Sequence, residues 1–408
     1  MRRRVGAVAR LLVGAVLVGV VAGAASFVFL EGLDAVTRAR IDHPWLVVGL
    51  PLVGLAVGIA VLRLGPAVGG GTAVVLDRAR HGGDDIPVAL APYALLGTWA
   101  THLVGGSAGR EGTALQLAGP LGDVIARRLH LDVDGRRHLL VAAVAAGFGS
   151  VFGVPLAGTV FALEIGRKRR PRPVVALAAL VAAFVGDAVV DIAGHAHAVR
   201  PRPVPDGSLR TVVALAVVGS VCGAAAVLYV AATRGVRAVQ ARVVRRPQLR
   251  PVVGGVLVLA AAGIVGPAYL GLSLPLADTA LAGAEVAAAA WLCKLLLTAV
   301  TVGSGFPGGE VTPLFVVGST LAAVVAPLVG VDPVLAAACG FVATFAAAAG
   351  TPLAGVVMAA EVFGIRSAPA ALLVCLVAAI VARRVSLYDT PPTSTPVSPA
   401  GGRRRRAG

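Results

Sequence analysis

The stretch "GVPLAGTVFALEI" at 153–165 returns as "GTPLAGVVMAAEV" at 350–362. One apolar stretch of this length says little. A second copy later in the chain says that the chain was built twice. Upstream of each copy lies a glycine-flanked glutamate, "GREGT" at 109–113 and "GGEVT" at 308–312. Glu111 and Pro155 are 44 positions apart, and Glu310 and Pro352 are 42 apart. Two motifs in the same order at nearly the same spacing predict two homologous halves, approximately residues 45–200 and 250–388. Motif and spacing leave open whether the halves are parallel or inverted.

The composition says where such a chain lives. Of 408 residues, 57% are hydrophobic and 14% charged, and the mean hydropathy is +0.88. Soluble domains carry roughly 25% charged residues. Apolar runs at Leu11–Leu30, Trp45–Leu62, Pro173–Val190, Thr211–Ala232 and Val252–Leu274 each approach the ~20 residues of a spanning helix. They do not alternate apolar with polar residues, so an all-α polytopic membrane protein is expected, not a barrel. The first run follows "MRRR", is long for a signal core and lacks a tidy cleavage site, so it reads as a retained helix.

The net charge of +16 does not point to nucleic acid. Its basic residues cluster at Arg2–Arg4, Arg167–Arg172, Arg234–Arg250, Arg383–Arg384 and Arg403–Arg406, mostly at the ends of apolar runs and without interleaved aromatics. The positive-inside rule then places both termini in the cytoplasm. Cys222, Cys293, Cys339 and Cys375 lie scattered in apolar segments, without metal spacing, and read as packing residues. No soluble domain is expected. Residues 389–408, rich in proline, polar residues and arginine, read as a disordered cytoplasmic tail.

Glycine and proline clusters at 65–75, 105–113 and 303–313 interrupt the apolar runs. Broken or re-entrant helices are tolerated at membrane depth where they face protein or a water-filled cavity, which suggests a transporter or channel. A helix that starts inside the membrane presents free N–H groups and the positive end of its dipole. Two such starts, at Gly109–Gly112 and at Gly308–Gly309, make an anion site if they converge. The turn Gly69–Thr72 is a candidate third. No lysine follows these loops and no strand precedes them, which disfavours a nucleotide site.

Glu111 competes with an anion for the same donors. Ionised, it occupies the anion's place; protonated, it swings away, so it gates and carries a proton together. The plainer alternative is an acid that complements a helix dipole. Arg110 either shapes the field for an anion or pairs structurally. Thr113 and Thr312 follow the two glutamates at matching places. Thr113 is expected to bond back to its own helix or to donate to an anion, and Thr312 to do the latter. His102 is expected to bond a backbone carbonyl, and Lys294 has no evident role. No cofactor or metal is expected. An intramembrane enzyme would need a nucleophile with its base or a metal cluster, and the chain offers neither.

These residues resemble the CLC family of chloride channels and anion/proton antiporters, over nearly the whole chain except the tail. "GREGT" resembles the family's gating-glutamate motif, with Thr113 where proline is usual. "GVPLAGTVFALE" resembles its signature. "GGEVTP" sits at its anion-coordinating loop, with Glu310 for an apolar residue and Val311 for phenylalanine. Tyr388 sits where the family places an anion-binding tyrosine. The chloride-type first loop is absent, and Ile165 follows the signature acid Glu164 where chloride antiporters carry an inner proton glutamate. The long forms "THLVGGSAGREGT…Q" and "GFPGGEVTPLF" are similar to the fluoride-exporting branch.

The resemblance implies inverted halves, a homodimer with one pore per subunit, and fluoride export driven by proton import. Glu111 and Glu310 would handle protons. Gly109, Arg110, Gly112, Thr113, Gly309, Val311, Thr312, Tyr388 and Thr72 would line the anion site. Fluoride, small and the strongest hydrogen-bond acceptor among halides, suits amide and hydroxyl donors and protonated carboxyls. The alternative is a chloride or nitrate transporter, or an uncoupled channel, on the same fold.

Overall fold

The computed structural model describes residues 2–165, 172–197 and 200–388. The expected tail, 389–408, and most of the basic stretch 167–172 lie outside the described residues. Seventeen α-helices follow one another in the described chain. They are α1 (Arg2–Asp42), α2 (Leu50–Leu64), α3 (Pro66–Gly69), α4 (Gly71–His81), α5 (Leu90–Leu103), α6 (Glu111–Arg128), α7 (Val133–Phe152), α8 (Pro155–Ile165) and α9 (Pro173–Ile192). There follow α10 (Leu209–Val243), α11 (Arg250–Val265), α12 (Leu274–Leu281), α13 (Ala290–Gly303), α14 (Val311–Val329), α15 (Pro333–Ala349), α16 (Pro352–Phe363) and α17 (Ala368–Val381). Six described helical segments are long and apolar enough to cross a membrane. The other described helices are shorter or less apolar.

One expected span divides. Val252–Leu274 is not a single helix: α11 stops at Val265, Gly266 turns to φ 90°, and the chain resumes as α12 only at Leu274. Glycine tolerates that backbone, and Pro267 after it cannot continue the helix.

The two halves meet through reciprocal contacts, as a two-fold axis requires. Gly109 N–H donates to Gly309 O at 2.7 Å, and Gly309 N–H donates back to Gly109 O at 2.8 Å, antiparallel. The signature acids cross over likewise. Glu164 at the end of α8 accepts from Leu353 and Ala354 N–H at the start of α16 (3.1 and 2.8 Å). Glu361 near the end of α16 accepts from Leu156 and Ala157 N–H at the start of α8 (2.9 and 2.7 Å). Between the halves lies an aromatic core in which Phe148 of α7 stacks on Phe161 of α8 (4.4 Å between centroids) and on Phe345 of α15 (5.8 Å). All four cysteines are free.

These contacts correct the register of the repeat. Gly109 faces Gly309, and the turns before them agree: Gly106 N–H bonds Thr101 O as Phe306 N–H bonds Thr301 O. The position equivalent to Glu111 is therefore Val311, and Glu310 stands in the place of Arg110. Aligning the two glutamates, as the motifs suggest, is off by one residue, which on a helix turns a side chain by about 100°. Thr113 and Thr312 are accordingly not equivalent.

Candidate anion site

The helix starts are not all treated alike. Asp132, Ser208 and Asp332 cap α7, α10 and α15 with their own side chains. The residues at the cap positions of α6 and α14, Arg110 and Glu310, do not. First-turn N–H groups therefore remain free where the two halves meet.

The Glu111 side chain fills that place. Val311 N–H donates to its Oε1, and Oε2 accepts from Thr312 N–H (3.1 Å), Thr312 Oγ1 (3.0 Å) and Arg110 N–H (3.0 Å). A carboxylate 2% exposed is thus held by four donors, three of them from the opposite half, at the positive end of α14. Gly309 makes the room: a Cβ there would lie on the Glu111 carboxylate, and one on Gly109 would meet Glu111 Oε2 and Pro313. Gly112 closes the other side, near Gly308 O and Thr72 Oγ1.

Other sequence candidates lie further out. Thr72 Oγ1 donates to Gly112 O at 3.3 Å and accepts from Gln116 Nε2 at 3.1 Å, so its hydroxyl ties α4 to α6. Thr113 pairs with Thr98 Oγ1 at 2.6 Å and knits α6 to α5; it does not touch the Glu111 carboxylate. Tyr388 packs its ring edge-on to Phe161 at 6.4 Å. Its segment is pinned by Leu387 N–H to Ala348 O (2.8 Å) and by Arg80 to Tyr388 O (3.3 Å).

Glu310 turns away from the cradle. Its Oε1 lies 3.8 Å from Arg237 Nη2 of α10, and its side chain is 17% exposed. Arg110 turns the opposite way. Its guanidinium sits 5.3 Å above the Phe152 ring and lines a cavity of about 60 Å³ with His197, Arg200, Phe341 and Thr312. Arg200 in turn pairs with Asp278.

The loop that carries Arg110 and Glu111 hangs on residues whose part the sequence did not reveal. Lys294, fully buried, donates to Ser107 Oγ (2.9 Å) and to the Gly271 and Tyr269 carbonyls (2.6 and 3.3 Å). Ser107 also meets Thr298 Oγ1 at 2.9 Å and Thr301 Oγ1 through its N–H at 3.2 Å. His102 bridges Thr98 O and Ala108 O, the carbonyl contact expected of it. The only early signal for Lys294 was a lysine inside an apolar run, which in a membrane requires partners.

Residues 53–383 match the family model described as voltage gated chloride channel. The chain belongs to that family. A chloride/fluoride channel protein of Pseudomonas syringae pv. tomato is 39% identical over 390 residues, covering 93% of this chain and 86% of the relative. The H(+)/Cl(-) exchange transporter ClcA of Cronobacter sakazakii is 26% identical over 335 residues, 76% of this chain and 71% of its own. Among solved structures, a CLC-type fluoride/proton antiporter superposes with a TM-score of 0.87 at 32% identity, covering 93% of this chain and 96% of that one. A slow cyanobacterial Cl-/H+ antiporter superposes at 0.77 with 20% identity, over 92% and 94% of the two chains, a likeness of fold. The voltage gated chloride channel family supplies the architecture: an all-α, multi-pass membrane bundle of two inverted halves with broken helices.

Proposed function

We propose that this chain exports fluoride in exchange for protons across a bacterial plasma membrane, with both termini in the cytoplasm. The observation that carries the reading is the seat of Glu111: a carboxylate held by three N–H groups and the Thr312 hydroxyl at an open helix start. What holds a carboxylate oxygen holds a fluoride, since both are compact anions that accept strong hydrogen bonds. The ionised carboxylate and the anion then exclude each other. Ionised Glu111 fills the site, and protonated Glu111 leaves it to the ion. Glu310, on the inner side of the same helix start, is the second proton carrier. The likeness to a CLC-type fluoride/proton antiporter over nearly the full length of both chains supports the coupled reading. We further propose a homodimer with an independent pore in each subunit, as in the resemblance. Gly109, Gly112, Gly309 and Val311 supply backbone to the site, and Arg110 draws the anion through the outer cavity.

A second reading, a passive anion channel on the same fold, is favoured by the relative named as a chloride/fluoride channel protein. Glu111→Gln, reconstituted in proteoliposomes, separates them. Exchange predicts that proton uptake driven by fluoride efflux falls to background, because glutamine cannot carry a proton. Proton uptake at the wild-type level in Glu111→Gln removes Glu111 from its role. Its absence already in the wild type favours the channel.

A further inference from the structure

Tyr229, Thr233, Arg237 and Gln240 of α10 recur at intervals of four, four and three residues. They lie on one face of that helix, over a rise of about 16 Å. Tyr229 is fully buried on that face. Arg237, half exposed, ion-pairs with Glu310 at 3.8 Å. Gln240 donates to Ser304 Oγ at 2.6 Å. Yet Tyr229 Oη, Thr233 Oγ1 and Gln240 Oε1 are buried and make no hydrogen bond of good geometry.

A buried polar atom without a partner is costly, and in native proteins it usually marks ordered water. Three in a row on one helix face, starting at an acid and ending at the helix's basic end, mark a path. We propose that this face of α10 is the inner leg of the proton route, a short file of water linking Glu310 to the solution beyond Arg237. The proposal rests on the reading of Glu310 as a proton carrier. Protonated Glu310 gives its proton to a water held by the Tyr229 and Thr233 hydroxyls. The electron pair of the broken O–H bond stays on the carboxylate, which then faces the Arg237 guanidinium. The excess proton moves along the file past Gln240 Oε1, and each water gains one proton and passes one on. The charged group that faces Glu310 from α10 is Arg237, at 3.8 Å.

The test uses the full chain in proteoliposomes, with fluoride and pH electrodes recording together. Tyr229→Phe and Thr233→Val each delete one hydroxyl at nearly constant shape. The route predicts that protons moved per fluoride fall about tenfold while fluoride efflux continues, and that Thr233→Ser restores the ratio. Arrest of both ions in a variant that melts no lower than the wild type carries the same meaning. If the hydroxyls were mere orphans in a dry core, deleting them would raise the melting temperature and leave the ratio unchanged, and that result overturns the route. Glu310→Gln keeps the two levels apart. A wild-type ratio in Glu310→Gln overturns the underlying reading. A lost ratio there, with both hydroxyl variants unaffected, overturns the α10 route alone.

Discussion

Thr312 and Gly309 are the residues on which the occupancy of the site turns. Thr312 gives the Glu111 carboxylate both its N–H and its hydroxyl, and Thr312→Val removes the hydroxyl alone. A hydrogen bond to a charged group contributes about 1.5–3 kcal/mol, so apparent fluoride affinity should fall tenfold or more, read from the concentration dependence of efflux. Gly309→Ala puts a methyl group where the carboxylate sits. Since fluoride is to use the same seat, the methyl group should exclude both occupants, seen as fluoride efflux and proton uptake falling together in the same vesicles. The sequence made Glu111 legible because an acid between glycines in an apolar run has few other uses. It did not make Thr113's partner legible, since Thr98 lies a helix away. Nor could the glutamates be matched correctly from motifs. The Gly109–Gly309 bridge and the matching turns before it show that Glu310 replaces Arg110. That shift explains both residues: one two-fold operation sends Arg110 to the cavity beside Arg200 and Glu310 to the opposite side, beside Arg237.

At the scale of elements, capped and open helix starts divide the labour. α7, α10 and α15 close their own ends with Asp or Ser. The starts of α8 and α16 are closed by each other's glutamates. Those of α6 and α14 carry no side-chain cap of their own, and the Glu111 carboxylate takes the donors of α14. Glu361→Leu strips two charge-assisted hydrogen bonds from the start of α8. It should cost about 3 kcal/mol of stability, seen as a lower unfolding temperature in detergent; an unchanged temperature would mean that the crossed acids do not hold the halves together. The breaks in the chain were legible as glycine and proline clusters. Gly266 escaped notice because a lone glycine before a proline inside an apolar run leaves hydropathy almost unchanged, although its backbone at φ 90° ends the helix.

At the scale of the molecule, the repeat carried most of the fold, since two copies of a helix pair must pack against each other to bury their shared face. Where each half begins was less visible. α1 packs against α6, α7 and α9 as α10 packs against α14, α15 and α17. We therefore propose that each half starts one helix earlier than the motifs suggest, with α10 opening the second. α10 then joins the basic end of the bundle to the acid at its centre. The central claim is fluoride export coupled to protons, and one measurement meets it most directly. Vesicles containing the full chain are loaded with equal fluoride and chloride, and the efflux of each is recorded with the pH of the bath. The account predicts fast fluoride efflux, slow chloride efflux and alkalinisation of the bath in proportion to the fluoride released. Chloride leaving as fast as fluoride, or fluoride leaving with no proton uptake, would contradict it.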